Sequence, residues 1–396
     1  MQRVERTVLD LRRGVPVVIR DGRAMCLAAP VDGITAARFD DMRARAGGPV
    51  RLILNDHRLA HLGLDDPPKT AAIGLRPADT LIDAIRWAAD PAAKWPATRP
   101  VSPATELESA ALLLARRGLL IPAVLCMIPD AAAVPSIESR LASADLLAVS
   151  VADVWSHCRA APSLERITEA DVPLEAAPHS RFVVFREAGV LREHVAILIG
   201  DSAHWPVPVP VRAHSSCLTG DLFGSVRCDC GSQLRRSVSL IGKRGGGVLL
   251  YLAQEGRGTG LINKIRAYQI QDEGLDTVDA DRVLGFGGDE RDYAVAREML
   301  AQLGITRIDL LTNNPTKLAG MNREPIRVAS RSCIYGQLTN ENRRYLATKA
   351  TRAGHWLDAL LTHPFDTDAD ALADADAGTD TDAGTDTGAR ERAPGR

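Results

Sequence analysis

Three cysteines that lie close together in the chain place the strongest constraint on its fold. Cys217, Cys228 and Cys230 form a C-x10-C-x-C pattern. Thiolates are strong zinc ligands, and structural zinc sites usually take four protein ligands. Three cysteines therefore predict a zinc ion with an open position for water, which is the catalytic arrangement. Spacing alone leaves two alternatives open: three core cysteines, or a structural site completed by His214.

Composition and charge exclude several classes of protein. The chain holds seven cysteines, an odd number scattered outside one cluster, which argues against a disulfide framework and for a reducing cytoplasm. A net charge of -2 gives no sign of a nucleic-acid partner. No apolar run approaches the ~18 residues of a membrane span, and the first residues do not resemble a signal peptide.

Strand and helix signals alternate along the chain. They predict an α/β (α+β) fold of two domains, 1–160 and 164–361, each a mixed sheet with flanking helices. The predicted strands are 15–20, 49–54, 119–127, 248–252 and 308–312, and the predicted helices are 107–115, 232–243, 261–273 and 293–303. The polar stretch 163–180 is predicted to connect the domains. Residues 362–396, rich in Asp, Ala, Thr and Gly, are predicted to be a disordered acidic tail.

Two polar loops in the second domain could bind a ligand. Glu255 and Arg257 follow a buried strand, where α/β proteins commonly bind ligands. Arg257 could pair with a phosphate, and Glu255 could read a base edge rich in donors. A solvated turn explains this loop equally well. The acidic run 289–292 precedes a predicted helix, where N-capping is the common role of such residues.

Six motifs in constant order resemble the GTP cyclohydrolase II family. They are residues 212–221, 226–234, 254–261, 263–268, 284–292 and 311–317, within a region of about 164–358. The family hydrolyses GTP to a diaminopyrimidine ribonucleotide, formate and pyrophosphate, usually as the first committed step of riboflavin synthesis. The resemblance implies one zinc ion per chain on Cys217, Cys228 and Cys230, magnesium on the GTP phosphates and a homodimer.

The resemblance also implies roles for individual side chains. Asp289 resembles the family's proton acceptor. Arg291 resembles the arginine that takes the α-phosphoryl group as pyrophosphate leaves, although a guanidinium is a poor nucleophile. Tyr268 matches a tyrosine implicated in turnover. The residues implied to bind GTP are Arg212, Ala213, His214, Ser215, Ser216, Gln233, Glu255, Gly256, Arg257, Thr277, Thr312 and Lys317.

Two departures from the family pattern leave alternatives open. Ser216 stands where the family usually has Glu, directly before the first cysteine, and Pro325 stands where Gly is common. Such changes suggest a divergent branch. The alternatives are an enzyme of pyrimidine breakdown, and a regulator that binds guanine nucleotide without turning it over.

Residues 1 to about 160 resemble dihydroxybutanone phosphate synthase, which is often fused ahead of GTP cyclohydrolase II. The resemblance lies in structural segments, at 4–14 and 59–64, and not in the residues that carry the catalytic chemistry. Ala104 replaces the metal-binding His of that family, and Met127 replaces its Glu. Neither side chain can bind magnesium or move a proton. We therefore expect this domain to be inactive in that reaction and to serve stability, dimer contacts or regulation.

Overall fold

The computed structural model describes residues 2–95 and 98–362, so the predicted tail lies outside the described residues except for Thr362. The first half, residues 2–160, contains a sheet of seven strands. Its strands are β1 Val17–Asp21, β2 Ala24–Pro30, β3 Val50–Asn55, β4 Thr70–Gly74, β5 Val101–Pro103, β6 Ala123–Met127 and β7 Ala148–Ser150. Its helices are α1 Gln2–Arg12, α2 Ala36–Ala46, α3 Asp56–His61, α4 Leu81–Ala89, α5 Glu106–Arg117, α6 Val134–Ala142 and α7 Val151–Arg159.

The second half, residues 164–362, contains another sheet of seven strands. Its strands are β8 Leu164–Asp171, β9 Ser180–Glu187, β10 Glu193–Ile199, β11 Val209–Ser215, β12 Gly247–Leu252, β13 Arg307–Leu311 and β14 Arg327–Ser332. Its helices are α8 Cys230–Lys243, α9 Leu261–Asp272, α10 Thr277–Val283, α11 Ala294–Gln302, α12 Pro315–Met321, α13 Arg343–Ala353 and α14 Asp358–Thr362.

Both sheets are mixed, as the sequence predicts. The strand orders are β5-β4-β3-β6-β2-β1-β7 and β14-β13-β11-β12-β10-β9-β8. In the second sheet β12, β11, β13 and β14 run parallel, while β8, β9, β10 and β12 pair antiparallel. Because parallel strands end at the same edge, the loops after β11, β12 and β13 meet there. Three of the six family motifs include these loops.

Most predicted elements form where the sequence places them. The helix predicted at 107–115 is α5, which Thr105 and Glu108 begin with a reciprocal capping box. The predicted connection at 163–180 is wrong in its first part, because Leu164–Asp171 is the edge strand β8. All its side chains after Leu164 are exposed. An edge strand that buries so little carries a polar sequence, which is also typical of a linker.

A continuous apolar core joins the two halves. One cluster of buried side chains contains Leu52 and Leu54 of β3 together with Val283, Leu284 and Phe286 of the second half. Polar contacts accompany this core: Arg58 Nη1 donates to the Val283 carbonyl at 3.0 Å, and Asn55 Nδ2 donates to the Gly285 carbonyl at 2.5 Å. The first half thus holds the start of the motif at 284–292.

None of the helices among the described residues is long and apolar enough to cross a membrane.

Candidate active site

The three cysteines of the C-x10-C-x-C pattern come together beyond the carboxyl end of β11. Their sulfur atoms lie within 4.8 Å of one another, and the sulfurs of Cys217 and Cys228 are 3.7 Å apart. Two sulfurs bound tetrahedrally to zinc at about 2.3 Å stand about 3.8 Å apart. The spacing of this thiol cluster therefore fits a zinc ion.

His214 is placed as a neighbour of the thiol cluster rather than as its fourth ligand. Its Nε2 lies 3.1 Å from Asp221 Oδ1, and its ring stacks on Tyr251 with 5.8 Å between centroids. Within the described part of the chain, the close group of candidate ligand atoms around the cysteines consists of the three sulfurs. The arrangement fits an ion with one open position, and it argues against the alternative of a closed structural site.

Lys264 is a part of the thiol cluster's surroundings that the sequence did not reveal. Its Nζ lies 3.1 Å from Cys217 Sγ, 2.9 Å from Thr219 Oγ1 and 2.9 Å from Glu255 Oε1. Hydrogen bonds from the other two cysteines, followed by Lys264, lower the pKa of the Cys217 thiol. The hydrogen bond with Cys217 raises the pKa of Cys228 to about 11. Lys264 therefore favours the thiolate form of Cys217.

Gly220 fits against the thiol cluster because it lacks a side chain. A Cβ at this position would lie 2.8 Å from Cys228 Sγ and 3.1 Å from Cys217 Sγ. We expect Gly220→Ala to displace a sulfur and weaken zinc binding about tenfold or more, by analogy with changes next to metal ligands. Competition with a chromophoric chelator measures the affinity. Gly74→Ala is the matched control, since nothing lies within 4 Å of its Cβ position. Equal affinities for both variants would contradict the prediction.

The thiol cluster opens into a cleft whose empty space, the solvent at its mouth included, is about 1090 Å³. The structure brings thirteen of the predicted nucleotide-binding and catalytic residues together along its walls. These are Arg212, His214, Ser215, Ser216, Gln233, Glu255, Gly256, Arg257, Tyr268, Thr277, Arg291, Thr312 and Lys317.

Two predicted residues do not line the cleft. The side chain of Ala213 is fully buried in the core on the opposite face of β11, since successive strand residues alternate between faces. Its predicted contact with substrate is therefore wrong for the side chain, and its carbonyl accepts a hydrogen bond from Lys317 Nζ at 2.6 Å. Asp289 lies behind Arg291, which donates to it through Nε at 2.7 Å and Nη2 at 2.6 Å.

Buried cations form one wall of the cleft. Arg212 donates to the Leu311 carbonyl at 2.9 Å and to Gln233 Oε1 at 2.6 Å. Burial lowers the pKa of Arg212 to about 10, and burial followed by the charges of Arg212 and Arg291 lowers the pKa of Lys317. An anion would offset the mutual repulsion of these buried cations, so this wall suits phosphate groups.

Several buried polar atoms beside the cleft form no hydrogen bond within the described part of the chain. Among the described residues, Arg212 Nε, His214 Nδ1 and Ser215 Oγ are buried and form no hydrogen bond. Buried polar groups in folded proteins are usually satisfied, so unpaired ones on three neighbouring residues need a ligand or ordered water. All three residues belong to the motif 212–221 and line the cleft.

The loop at 255–258 is a tight turn that lines the cleft. Gly256 and Arg257 both adopt the left-handed conformation, with φ of 63° and 58°. Glu255 is engaged within the protein, where its Oε2 accepts from the Leu218 amide at 2.7 Å and its Oε1 contacts Lys264. Arg257 Nη1 lies 3.4 Å from Asp281 Oδ2. The loop is thus a structured part of the cleft and not a solvated turn.

Asp281 is a second residue that the sequence did not single out. It lines the cleft from α10 and is only 8% exposed. Burial raises its pKa to about 7, against the lowering effect of Arg257 and with a raising effect from Glu290 and Asp289. In sequence its position is a plain acidic residue on a helix, and its burial becomes apparent only in the folded structure.

Replacing Asp281 should change how stability depends on pH. The folded-state pKa of about 7 lies above the ordinary 3.8, so ionising the carboxyl in the folded protein becomes costly as the pH rises between these values. This cost lowers the free energy of unfolding, by nothing near pH 3.8 and by at most about 4 kcal/mol above about pH 7. We expect Asp281→Asn to remove it. Urea unfolding from about pH 5 to about pH 8 measures it. A constant difference from the wild type across this range would contradict the assignment.

The fold and the site define an α/β protein with three thiols that could hold a metal ion at the mouth of a cationic cleft. The sequence model of the family described as GTP cyclohydrolase II matches residues 165–333. A relative named GTP cyclohydrolase-2 from Xylella fastidiosa (strain Temecula1) is 43% identical over 359 residues, which cover 90% of this chain and 87% of that protein. The chain belongs to the GTP cyclohydrolase II family, and the prediction of that family is confirmed.

Two further comparisons concern the two halves. The Riboflavin biosynthesis protein RibBA from Bacillus cytotoxicus is 50% identical over 167 residues, covering 42% of each chain. A crystal structure of RibBX, described as a two-domain 3,4-dihydroxy-2-butanone 4-phosphate synthase from A. baumannii, is 17% identical with a TM-score of 0.31. It covers 83% of this chain and 99% of that one. A likeness this weak carries no argument about the first half.

Proposed function

We propose that the protein hydrolyses GTP to a diaminopyrimidine ribonucleotide, formate and pyrophosphate, as the first step of riboflavin biosynthesis. The thiol cluster at the mouth of the cationic cleft carries this proposal, because it joins a metal site to a site for a polyanion. Membership of the GTP cyclohydrolase II family supports it, as do the names of the relatives.

The proposed metal is one zinc ion per chain on Cys217, Cys228 and Cys230. Bound there, zinc would supply a water of lowered pKa for attack on C8 of the guanine ring. Magnesium is proposed to accompany the GTP phosphates. Lys264, beside Cys217, offsets the charge of the thiolates.

The residues that line the cleft are proposed to bind GTP as the family resemblance implies. Arg212, Arg257, Arg291 and Lys317 supply positive charge, and the motif 212–216 supplies buried polar groups that lack partners within the described chain. Gln233 is already aligned by Arg212, at 2.6 Å, and by Asp229, at 2.6 Å. Glu255, Gly256, Thr277 and Thr312 complete the set, with Ala213 contributing through its carbonyl.

Asp289 and Arg291 are proposed to act as a pair. Burial raises the pKa of Asp289, but the hydrogen bonds and charge of Arg291 lower it more, so the pKa lies below its usual value. The carboxylate is therefore ionised and able to accept a proton. Arg291 is held by the two hydrogen bonds that it donates to the same carboxylate, and despite burial Tyr293 and Asp289 raise its pKa. A guanidinium held in this way binds a phosphoryl group electrostatically rather than attacking it as a free base.

Tyr268 is proposed to donate a proton during turnover. Burial raises its pKa to about 12, so the hydroxyl stays protonated at neutral pH. The guanidinium of Arg227 lies 5.1 Å and Lys264 Nζ 5.7 Å from the centre of its ring. These cations fix the ring at the mouth of the cleft.

A homodimer in the cytoplasm is proposed as the working state. Leu222, Phe223 and Val226, near the cysteines, and Ile262 of α9 are exposed apolar side chains. Exposed groups of this kind suit contact with a second copy. All seven cysteines are free, as expected in a reducing compartment.

One assay tests the function and separates the alternatives. Zinc-loaded protein is incubated with GTP and magnesium while formate, pyrophosphate and the pyrimidine product are followed. We expect all three in equal amounts. Pyrophosphate without formate would indicate altered chemistry, and GTP bound without consumption would leave only the role of a guanine-nucleotide regulator. The product's further fate distinguishes riboflavin synthesis from pyrimidine breakdown.

The first half is proposed to be inactive as a dihydroxybutanone phosphate synthase. Met127 ends the buried strand β6, and Ala104 directly precedes the cap of α5. Neither side chain supplies a ligand or a proton acceptor. Incubation of the purified protein with ribulose 5-phosphate and magnesium should give no dihydroxybutanone phosphate, and its appearance would overturn this proposal.

A further inference from the structure

The segment 343–357 closes the cleft from a part of the chain beyond the residues matched by the family model. Tyr345 and Lys349 of α13 and His355 after it line the same cleft as the thiol cluster. The family model ends at residue 333. The predicted site does not include any of these three side chains, so their placement is a result of the tertiary structure.

Contacts on both sides hold this segment over the cleft. Arg352 binds Asp276 at 2.6 Å and Asp279 at 3.0 Å, which ties α13 to α10. The Trp356 amide donates to the Asn313 carbonyl at 3.0 Å, which ties the following turn to the end of β13. Gly354 ends α13 with φ of 63°, a conformation that suits glycine and turns the chain back towards the cleft at His355.

Lys349 acts on the thiol cluster's surroundings through Asp229. Its Nζ lies 3.0 Å from Asp229 Oδ1 and 4.3 Å from the centre of the Tyr345 ring. Asp229 stands between two cysteines of the thiol cluster, is 2% exposed, and aligns Gln233. Lys349 thus neutralises a buried carboxylate that would otherwise repel an anion in the cleft.

His355 lies among cations that come from four separate elements. These are Lys349 of α13, Arg291 of the loop before α11, Arg257 of the turn after β12 and Lys317 of α12. Burial, followed by these four charges, lowers the pKa of His355 to about 3, so its imidazole is neutral in the free protein. A neutral ring beside four cations that line the same cleft marks a place suited to a polyanion, since an anion there offsets their charge.

We infer that the segment 343–357 supplies a phosphate-binding face of the cleft, in which His355 contacts the triphosphate and takes up a proton as it binds, while Lys349 positions Gln233 through Asp229. This inference rests on the proposed GTP site. It assigns His355 as a further substrate-binding residue and Lys349 as a positioning residue. The proton comes from solvent and returns to it when pyrophosphate leaves.

Calorimetry on the full-length, zinc-loaded protein tests the role of His355. Binding of a GTP analogue with a methylene bridge between the α- and β-phosphates is measured near pH 7 in two buffers of different protonation enthalpy, and binding of GMP is measured beside it. We expect the wild type to take up a measurable fraction of a proton with the triphosphate. His355→Gln should lose this uptake and about tenfold in triphosphate affinity, with GMP affinity much less changed. His204→Gln, whose side chain is 81% exposed, is the matched control.

The outcomes separate this inference from the proposed function. If the wild type binds neither ligand, both fail. If the wild type binds the triphosphate and releases formate from GTP, but His355→Gln keeps the proton uptake and the affinity ratio, only this inference is overturned.

Lys349 is tested by a pair of variants at one position. Lys349→Met should raise KM for GTP about tenfold with a smaller change in kcat, and Lys349→Arg should restore KM because the charge remains. Zinc content and thermal unfolding are measured for both. A loss of kcat alone, or no rescue by Arg at full zinc content, would contradict the positioning role.

Discussion

Cys228→Ser should remove both the zinc and the release of formate from GTP. Cys228 is one of three sulfurs that fit a single tetrahedral ion, and a hydroxyl is a much weaker zinc ligand than a thiolate. Changes to groups that only support a metal ligand already cost about 10- to 100-fold in affinity or activity. We therefore expect formate release to fall by more than about 100-fold, and bound zinc to fall from one ion per chain towards none.

The control for this variant is Cys158→Ser. Cys158 is a free, partly buried cysteine on α7, far along the chain from the thiol cluster. Metal content by mass spectrometry and formate by a coupled assay are measured on both proteins. A Cys228→Ser protein that keeps stoichiometric zinc and normal formate release would refute the metal role of the thiol cluster.

Val283→Asp should destabilise the whole protein, although it lies outside the cleft. Val283 is fully buried in the core that joins the two halves, and its carbonyl accepts from Arg58. A carboxylate at this position would be buried without a partner, which we expect to cost about 4 kcal/mol or more of unfolding free energy. Formate release should fall as well, because Val283 directly precedes the loop that leads to Asp289 and Arg291.

Ile82→Asp is the control for the buried site. Ile82 is a β-branched residue on α4 that is 76% exposed, so the same new charge meets water there. Denaturant unfolding followed by circular dichroism compares the two variants. If Val283→Asp unfolds at the same denaturant concentration as Ile82→Asp, the two halves do not share a core that matters for stability.

The sequence predicted five of the strands, β1, β3, β6, β12 and β13, and missed the exposed edge strand β8 as well as buried interior strands such as β10 and β11. Strands such as β3 and β12 are short runs of mostly buried apolar residues near polar or glycine residues, so their signal is local. The edge strand β8 has no such signal, because hydrogen bonds to β9 and not buried side chains keep it extended. Sequence periodicity reports burial, and it is silent where a strand buries almost nothing.

The same distinction holds for the candidate site, where some features follow from the local sequence and others from contacts in the folded chain. The sequence alone predicted Cys217, Cys228 and Cys230 as metal ligands, and its family motifs predicted a nucleotide site beside them. The tertiary structure alone decided the burial of Asp281, the approach of Lys264 to Cys217 and the closure of the cleft by His355. These depend on contacts between residues distant in the chain, whose burial and charge have no counterpart in local spacing. Protonation states and the fit of the walls to a polyanion are therefore properties of the folded chain.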